Sequence, residues 1–158
     1  MPSITALLHT HNDALRLGRC LELLHPCDEV VIVDHGSTDA TLRNAREYGA
    51  KIVARREPSG AVQPLPPAID GEWILCLEPR ESLTEGLVAS LFEWKKAAPT
   101  APAYSVFLRE ESSNGWLDRP EPQIRLIPGG WHHWLGHLPE AETATPSLEG
   151  SLLRFSFP

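Results

Sequence analysis

Asp34 closes the apolar run 29–33 and is followed at once by a turn of small residues, Gly36, Ser37 and Thr38, and a second carboxylate, Asp39. A carboxylate there can accept a hydrogen bond from an N–H or hydroxyl of a small ligand. The order strand, turn, helix puts it at the carboxyl end of a strand, where open α/β sheets bind ligands. The same residue types also bond turn amides and cap the next helix, so both uses stay open for Asp34 and Asp39. A second chemical segment, Glu78 to Glu81, flanks Arg80 with two carboxylates after another apolar run. A guanidinium there can grip phosphate oxygens bidentately. The third crowds Trp131, His132, His133, Trp134 and His137 into seven residues. His133 and His137 would share a helix face, a zinc spacing, but no Cys or acid completes the ligand set and Gly136 weakens a helix. The other reading is an aromatic flap whose Trp131 and Trp134 stack on a sugar or cover a sheet edge. His9 and His11, two apart, share a face at a strand end, where they line a pocket or bond the adjacent loop.

The elements that must position these groups follow from the apolar pattern. Ile4 to His9 is a short continuous run that suits a buried strand, with Asn12 or Asp13 as the cap of a helix. Leu17, Cys20, Leu21 and Leu24 recur at helical spacing before Pro26. Glu29 to Val33 is β-branched and suits a central parallel strand. Ser37 or Thr38 is expected to cap a helix carrying Leu42 and Ala45 inward, stopped by Gly49 before a strand at Lys51 to Ala54. The repeated strand-helix order predicts a doubly wound α/β sheet with right-handed crossovers. Pro64, Pro66 and Pro67 make Gly60 to Asp70 a loop. Trp73 to Leu77 is a strand, and Ser82 to Glu85 forms a capping box before a helix with Leu87, Leu91 and Trp94 inward. Strands are expected at Ala103 to Leu108 and Gln123 to Ile127, joined by a polar connection, Glu110 to Pro122. Leu152 to Phe157 is expected as an edge strand.

A chain of 158 residues with 42% hydrophobic and 22% charged residues and a mean hydropathy of -0.21 is expected to fold as one domain. A formal charge of -7 argues against binding a nucleic-acid backbone. The three cysteines, Cys20, Cys27 and Cys76, have no CxxC spacing and point to a reducing cytoplasm, with Cys76 a small hydrophobe. No basic leader precedes Ile4 to Leu8 and no run approaches membrane-spanning length, so the expectation is a soluble protein, able to work at a membrane face.

In order, these features resemble the family 2 glycosyltransferases, in particular the small bacterial branch acting on lipopolysaccharide core and similar envelope glycans. The resemblance is carried by 4–13, by 19–24, by 28–41 with Val33-Asp34-His35-Gly36-Ser37-Thr38-Asp39 at its centre, by 48–53 and by 71–77. Shortened counterparts of later segments stand at 123–127 and 136–140. It implies a GT-A-like three-layer α/β sandwich, mostly parallel, with a late antiparallel strand at Gln123 to Ile127. Residues 1–98 would be the nucleotide-binding half and 99–158 a reduced acceptor-side half. It further implies binding of a nucleotide-diphosphate sugar and passage of the sugar to an envelope glycan or lipid hydroxyl. Thr10, Asn12 and Asp34 map onto the nucleoside-holding residues and Glu140 onto the general base.

The family pattern is broken where an acidic Asp-x-Asp should hold Mg2+ or Mn2+ against the diphosphate. Glu78-Pro79-Arg80-Glu81 stands there, and Arg80 puts a fixed cation in place of the second carboxylate, so Glu78 at most would touch a metal. In one reading Arg80 replaces the metal and grips the diphosphate. In the other, the segment is a solvated loop and the chain is a catalytically inactive GT-A-like module that binds a nucleotide or a protein partner. Gln63, followed by three prolines, reshapes the donor-site wall. A flavodoxin-like binding domain is the reading outside this family, distinguished by lacking the late antiparallel strand.

Overall fold

A computed structural model describes residues 1–55, 69, 71–140 and 143–158. Gln63 and nearly all of the loop expected at Gly60 to Asp70 lie outside the described residues. The first four strands form a parallel block: β1 (Ile4–Thr10), β2 (Glu29–Asp34), β3 (Lys51–Ala54) and β4 (Trp73–Leu77), in the order β3-β2-β1-β4. Their apolar side chains alternate between two cores, as the strand period of two requires. Ile4, Ala6 and Leu8 face one core with the inward residues of three helices, α1 (Ala14–Leu21), α2 (Thr41–Glu47) and α3 (Glu85–Lys96). Leu7, Val31, Val33 and Cys76 face the other, where Trp131, Trp134 and Leu138 form the opposite layer. Cys76 is the small hydrophobe expected, and burial pushes its thiol up to about 12.

The sheet continues with antiparallel β8 (Gln123–Pro128) beside β4, then β6 (Tyr104–Ser112), β11 (Ser147–Arg154) and β5 (Glu81–Leu83). The late antiparallel strand is therefore where the sequence put it. Three other expectations are corrected. β11 is internal, parallel to β6 and covered by the three-residue β5, so it is not an edge. Within 110–122, β7 (Gly115–Asp118) pairs back on β6 as a hairpin, with Gly115 at φ 111 in its turn. Thr84, not Ser82, caps α3 by accepting from Leu87 N at 3.3 Å, because Ser82 is held in β5.

Arg125, inside β8, is fully buried. Its Nη1 and Nη2 donate to Glu81 Oε1 and Oε2 at 2.6 and 2.8 Å, and Nη1 also donates to the Cys76 carbonyl at 3.1 Å. Arg154 of β11 donates to the same Glu81 from Nη2 at 3.1 Å and to Glu110 from Nη1 at 2.9 Å. Burial acts to raise the Glu81 carboxyl, but the Arg125 charge and hydrogen bonds, the Glu78 N–H and Arg154 outweigh it and hold the group below its ordinary 4.5. Stability from this group is therefore present above 4.5 and lost as pH falls through the depressed value. Glu81→Gln strands the buried guanidinium and is expected to cost about 3–5 kcal/mol in urea denaturation. The loss of stability on acidification should be shallower in that variant; parallel pH profiles would contradict the assignment.

Candidate functional site

The carboxyl ends of β1, β2 and β4 open onto a cavity of about 710 Å³, whose far wall is the hairpin of β9 (Trp134–Leu135) and β10 (Leu138–Pro139). Thr10, Glu78 and Arg80 line it, together with Asp13 and Arg16 from the start of α1 and with His9, His11, His35 and His137. Three of the five substrate-binding candidates thus meet in one pocket. Asp34 and Asn12 are not among its lining residues; they stand behind it. Parallel register sets Thr10 beside Asp34, and Asp34 Oδ1 accepts from Thr10 Oγ1 at 2.7 Å and Ser37 Oγ at 2.6 Å. Asp34 Oδ2 accepts from Ser37 N at 2.9 Å. Burial works to raise the Asp34 carboxyl, while bonds from Ser37, Thr10 and the Gly36 N–H prevail and leave it below the usual carboxylate range.

Of the two uses the sequence left open for this carboxylate, the turn-bonding one is present in these contacts. About four acceptor positions exist on a carboxylate, and the bonds from Thr10, Ser37 and the Gly36 N–H occupy them. Asn12 takes the left-handed φ of 52 that Asn tolerates, which lets its Oδ1 accept from Thr38 N at 2.8 Å while its own N donates to Ser37 Oγ at 2.9 Å. Ser37 and Thr38 are thereby used up in tying the β1 loop to the β2 loop. Neither caps α2, whose first residue Thr41 instead bonds Asp39 through its N–H and hydroxyl. Asp39 also accepts from Ala14 N at 3.2 Å, which fastens α1 to the same turn.

The segment after β4 is divided. Glu81 N donates to the Glu78 carbonyl and Glu78 N donates to Glu81 Oε1 at 2.8 Å, closing a tight turn. That turn sends the Glu81 side chain into the core and leaves Glu78 and Arg80 in the pocket, paired Nε to Oε2 at 2.7 Å. The solvated-loop expectation therefore fails for Glu81, which is 0% exposed.

Glu140 is exposed and lines an adjoining cavity of about 970 Å³ with Glu121, Thr145 and Arg154; Glu78, Leu135 and Leu138 border both spaces. The helix considered for His133 and His137 is absent: the segment is a hairpin turning at Gly136-His137, with Gly136 at φ 64. Trp131 and Trp134 pack on the sheet, Trp131 Nε1 donating to the His133 and Glu140 carbonyls at 2.7 and 3.2 Å. His137 reaches the opposite wall instead. Its ring stacks on His9 with centroids 3.8 Å apart, and both stack with His35 at 5.2 Å. Sequence reasoning missed this trio, because His35 sits in the turn motif and the three positions meet only through the sheet and the hairpin.

The glycosyl transferase family 2 profile matches residues 5–138, well over half of the chain. The chain belongs to this family. It is 38% identical over 56 residues to an uncharacterized glycosyltransferase of Rickettsia felis, a match covering 35% of this chain and 20% of that protein. Over 45 residues it is 42% identical to the lipopolysaccharide core biosynthesis glycosyltransferase LpsC of Rhizobium meliloti, covering 28% of this chain and 17% of LpsC. Among solved structures, Staphylococcus aureus TarS 1-349 in complex with UDP superposes with a TM-score of 0.55 at 19% identity, covering 75% of this chain and 38% of TarS. Glucosyl-3-phosphoglycerate synthase of Mycobacterium tuberculosis, in complex with Mn2+, UDP and glucosyl-3-phosphoglycerate, superposes at 0.53 with 21% identity, covering 68% of this chain and 44% of the synthase. These neighbours carry the GT-A fold, and this family 2 chain shares it. The matches span only a fifth or less of the two curated relatives and under half of these two solved chains. No helix among the described residues is long and apolar enough to cross a membrane.

A carboxylate-held Mg2+ or Mn2+ does not fit the residues present after β4. Glu78 is engaged by Arg80, and both Glu81 oxygens are bonded to arginines inside the core. A dication on Glu78 would have to displace Arg80 from it. Asp34→Asn tests the turn assignment by placing an amide that, in either orientation, sets an NH2 donor against Ser37 or Thr10 donors. It is expected to lower stability by about 1–3 kcal/mol, read from the urea midpoint. An unchanged midpoint would show that Asp34 does not hold the turn.

Proposed function

We propose that the chain binds a nucleotide-diphosphate sugar in the pocket at the ends of β1, β2 and β4, and that Arg80 takes the diphosphate without a carboxylate-held metal. The observation that carries this reading is the placement of Arg80 and Thr10 on one wall of a 710 Å³ pocket in a family 2 chain. Thr10, Asn12 and Asp34 form the nucleoside side, with Thr10 at the pocket surface and Asp34 and Asn12 holding the loops behind it. Glu78 steers the Arg80 fork, whose other edge is directed to phosphate oxygens. Residues 1–98 serve as the nucleotide-binding half, and 99–158 contribute the acceptor side.

In the full reaction the sugar passes to a hydroxyl of a cell-envelope glycan or lipid, at the cytoplasmic face of the membrane. Glu140 removes the hydroxyl proton as the sugar leaves the diphosphate. The likeness to LpsC supports an envelope acceptor, and UDP in TarS supports the nucleotide class. A second reading, a binding module without turnover, draws on the position of Glu140 in the adjoining cavity. The two readings differ in turnover and share nucleotide binding.

Thermal denaturation with UDP, GDP and CMP-sugars, in EDTA and again with Mn2+, tests this directly. One nucleotide class should raise the midpoint in EDTA, since a ligand bound only by the native state stabilises it. Arg80→Ala should weaken that binding by about tenfold or more, the loss of one charge-assisted phosphate contact. No shift with any nucleotide would remove both readings, and a shift that requires Mn2+ would contradict the role given to Arg80.

A further inference from the structure

We propose that His9, His35 and His137 form a binding site for a borderline divalent transition metal, with Zn2+, Co2+ and Ni2+ as its ligand class. Three separate elements supply them: the β1 end, the first residue past β2, and the β9–β10 turn. Their metal-capable ring nitrogens all lie within 4.8 Å of one another. His9 Nδ1 and His35 Nε2 share a hydrogen bond at 2.9 Å; a metal takes the place of the proton between them and opens the pair to the roughly 3.3 Å edge of a tetrahedron with about 2.05 Å zinc–nitrogen bonds. His137, whose ring lies face to face on His9, has to turn edge-on to aim a nitrogen at the same point, and it stands on an exposed two-residue turn at Gly136 where that rotation is open to it.

Imidazole is the ligand that selects such metals, whereas Mg2+ and Mn2+ favour carboxylate and phosphate oxygens. The chemistry of the trio thus differs from that of the acidic Asp-x-Asp of the family, whose place after β4 is taken by 78–81. Local charge permits a dication. The two arginines lining the same pocket, Arg16 and Arg80, are each paired with a carboxylate at 2.7 Å, Asp13 and Glu78 respectively. All three imidazoles line the pocket, so three protein ligands leave the remaining coordination position open towards it, as in zinc sites that accept a further oxygen. That a phosphate oxygen fills this position rests on the nucleotide-sugar reading; the metal site itself does not.

Titration of tag-free protein with Co2+, followed by visible absorption and by Zn2+ competition, tests the site. One equivalent of Co2+ should bind, Zn2+ should displace it, and excess Mg2+ should not. His137→Ala and His35→Ala should each weaken binding by roughly tenfold or more, since losing even groups outside the ligand shell costs about tenfold. His132→Ala, on the same segment but outside the trio, should leave it unchanged. Absence of stoichiometric binding, or binding that survives both His137→Ala and His35→Ala, overturns the site. UDP binding by the same protein in EDTA is scored separately: it bears on the nucleotide reading alone, and its failure leaves a positive Co2+ titration standing.

Discussion

The buried pair of Glu81 and Arg125 is the constraint from which the geometry of the pocket follows. A guanidinium with no exposed surface needs a counter-charge and acceptors inside the core, and Glu81 supplies both oxygens to it. Breaking such a pair is costly because the surviving charge is left uncompensated, so the turn after β4 must keep the Glu81 side chain pointed inward. Arg154 from β11 converges on the same carboxylate, and Phe155 N bonds the Arg80 carbonyl at 2.9 Å. One carboxylate thereby fixes β4, β5, β8 and β11 relative to each other. The turn then presents Glu78, Pro79 and Arg80 to the pocket.

The β1–β2 side of the pocket obeys a similar rule at lower cost. Asp34, Ser37, Thr38 and Asn12 satisfy one another across the β1 and β2 loops, so the turn motif that marks the family is first of all a clamp between two strand ends. The clamp positions Thr10 and His35 on the pocket surface. Asp34 therefore acts on the pocket through the residue it holds, Thr10, which lines it.

Much of the parallel half was legible because each element is announced locally. Continuous apolar runs make β1, β2 and β4, and Gly49 at φ 76 stops α2 where the pattern ended. What escaped depended on partners distant in sequence. β5 is three residues long and exists only by pairing with β11, which moved β11 from the edge to the interior. Ser82 looked like a cap until that pairing claimed it, and Thr84 took the role. The histidine trio joins positions separated by up to a whole sheet crossing and a hairpin. Arg125 did leave a local signal, since a charge inside the apolar run 124–127 demands a buried acid, but which of the 21 acidic residues supplies it is set by the fold.

The most direct measurement is an experimental structure of the chain grown with UDP and Mn2+. Glu81 is expected to remain bonded to Arg125 and Arg154, with the diphosphate within hydrogen-bond distance of Arg80 and no cation held between Glu78 and Glu81. A Mn2+ ion bridging those two carboxylates, with Glu81 turned out of the core, would contradict the division of this turn into a structural acid and a pocket-facing cation.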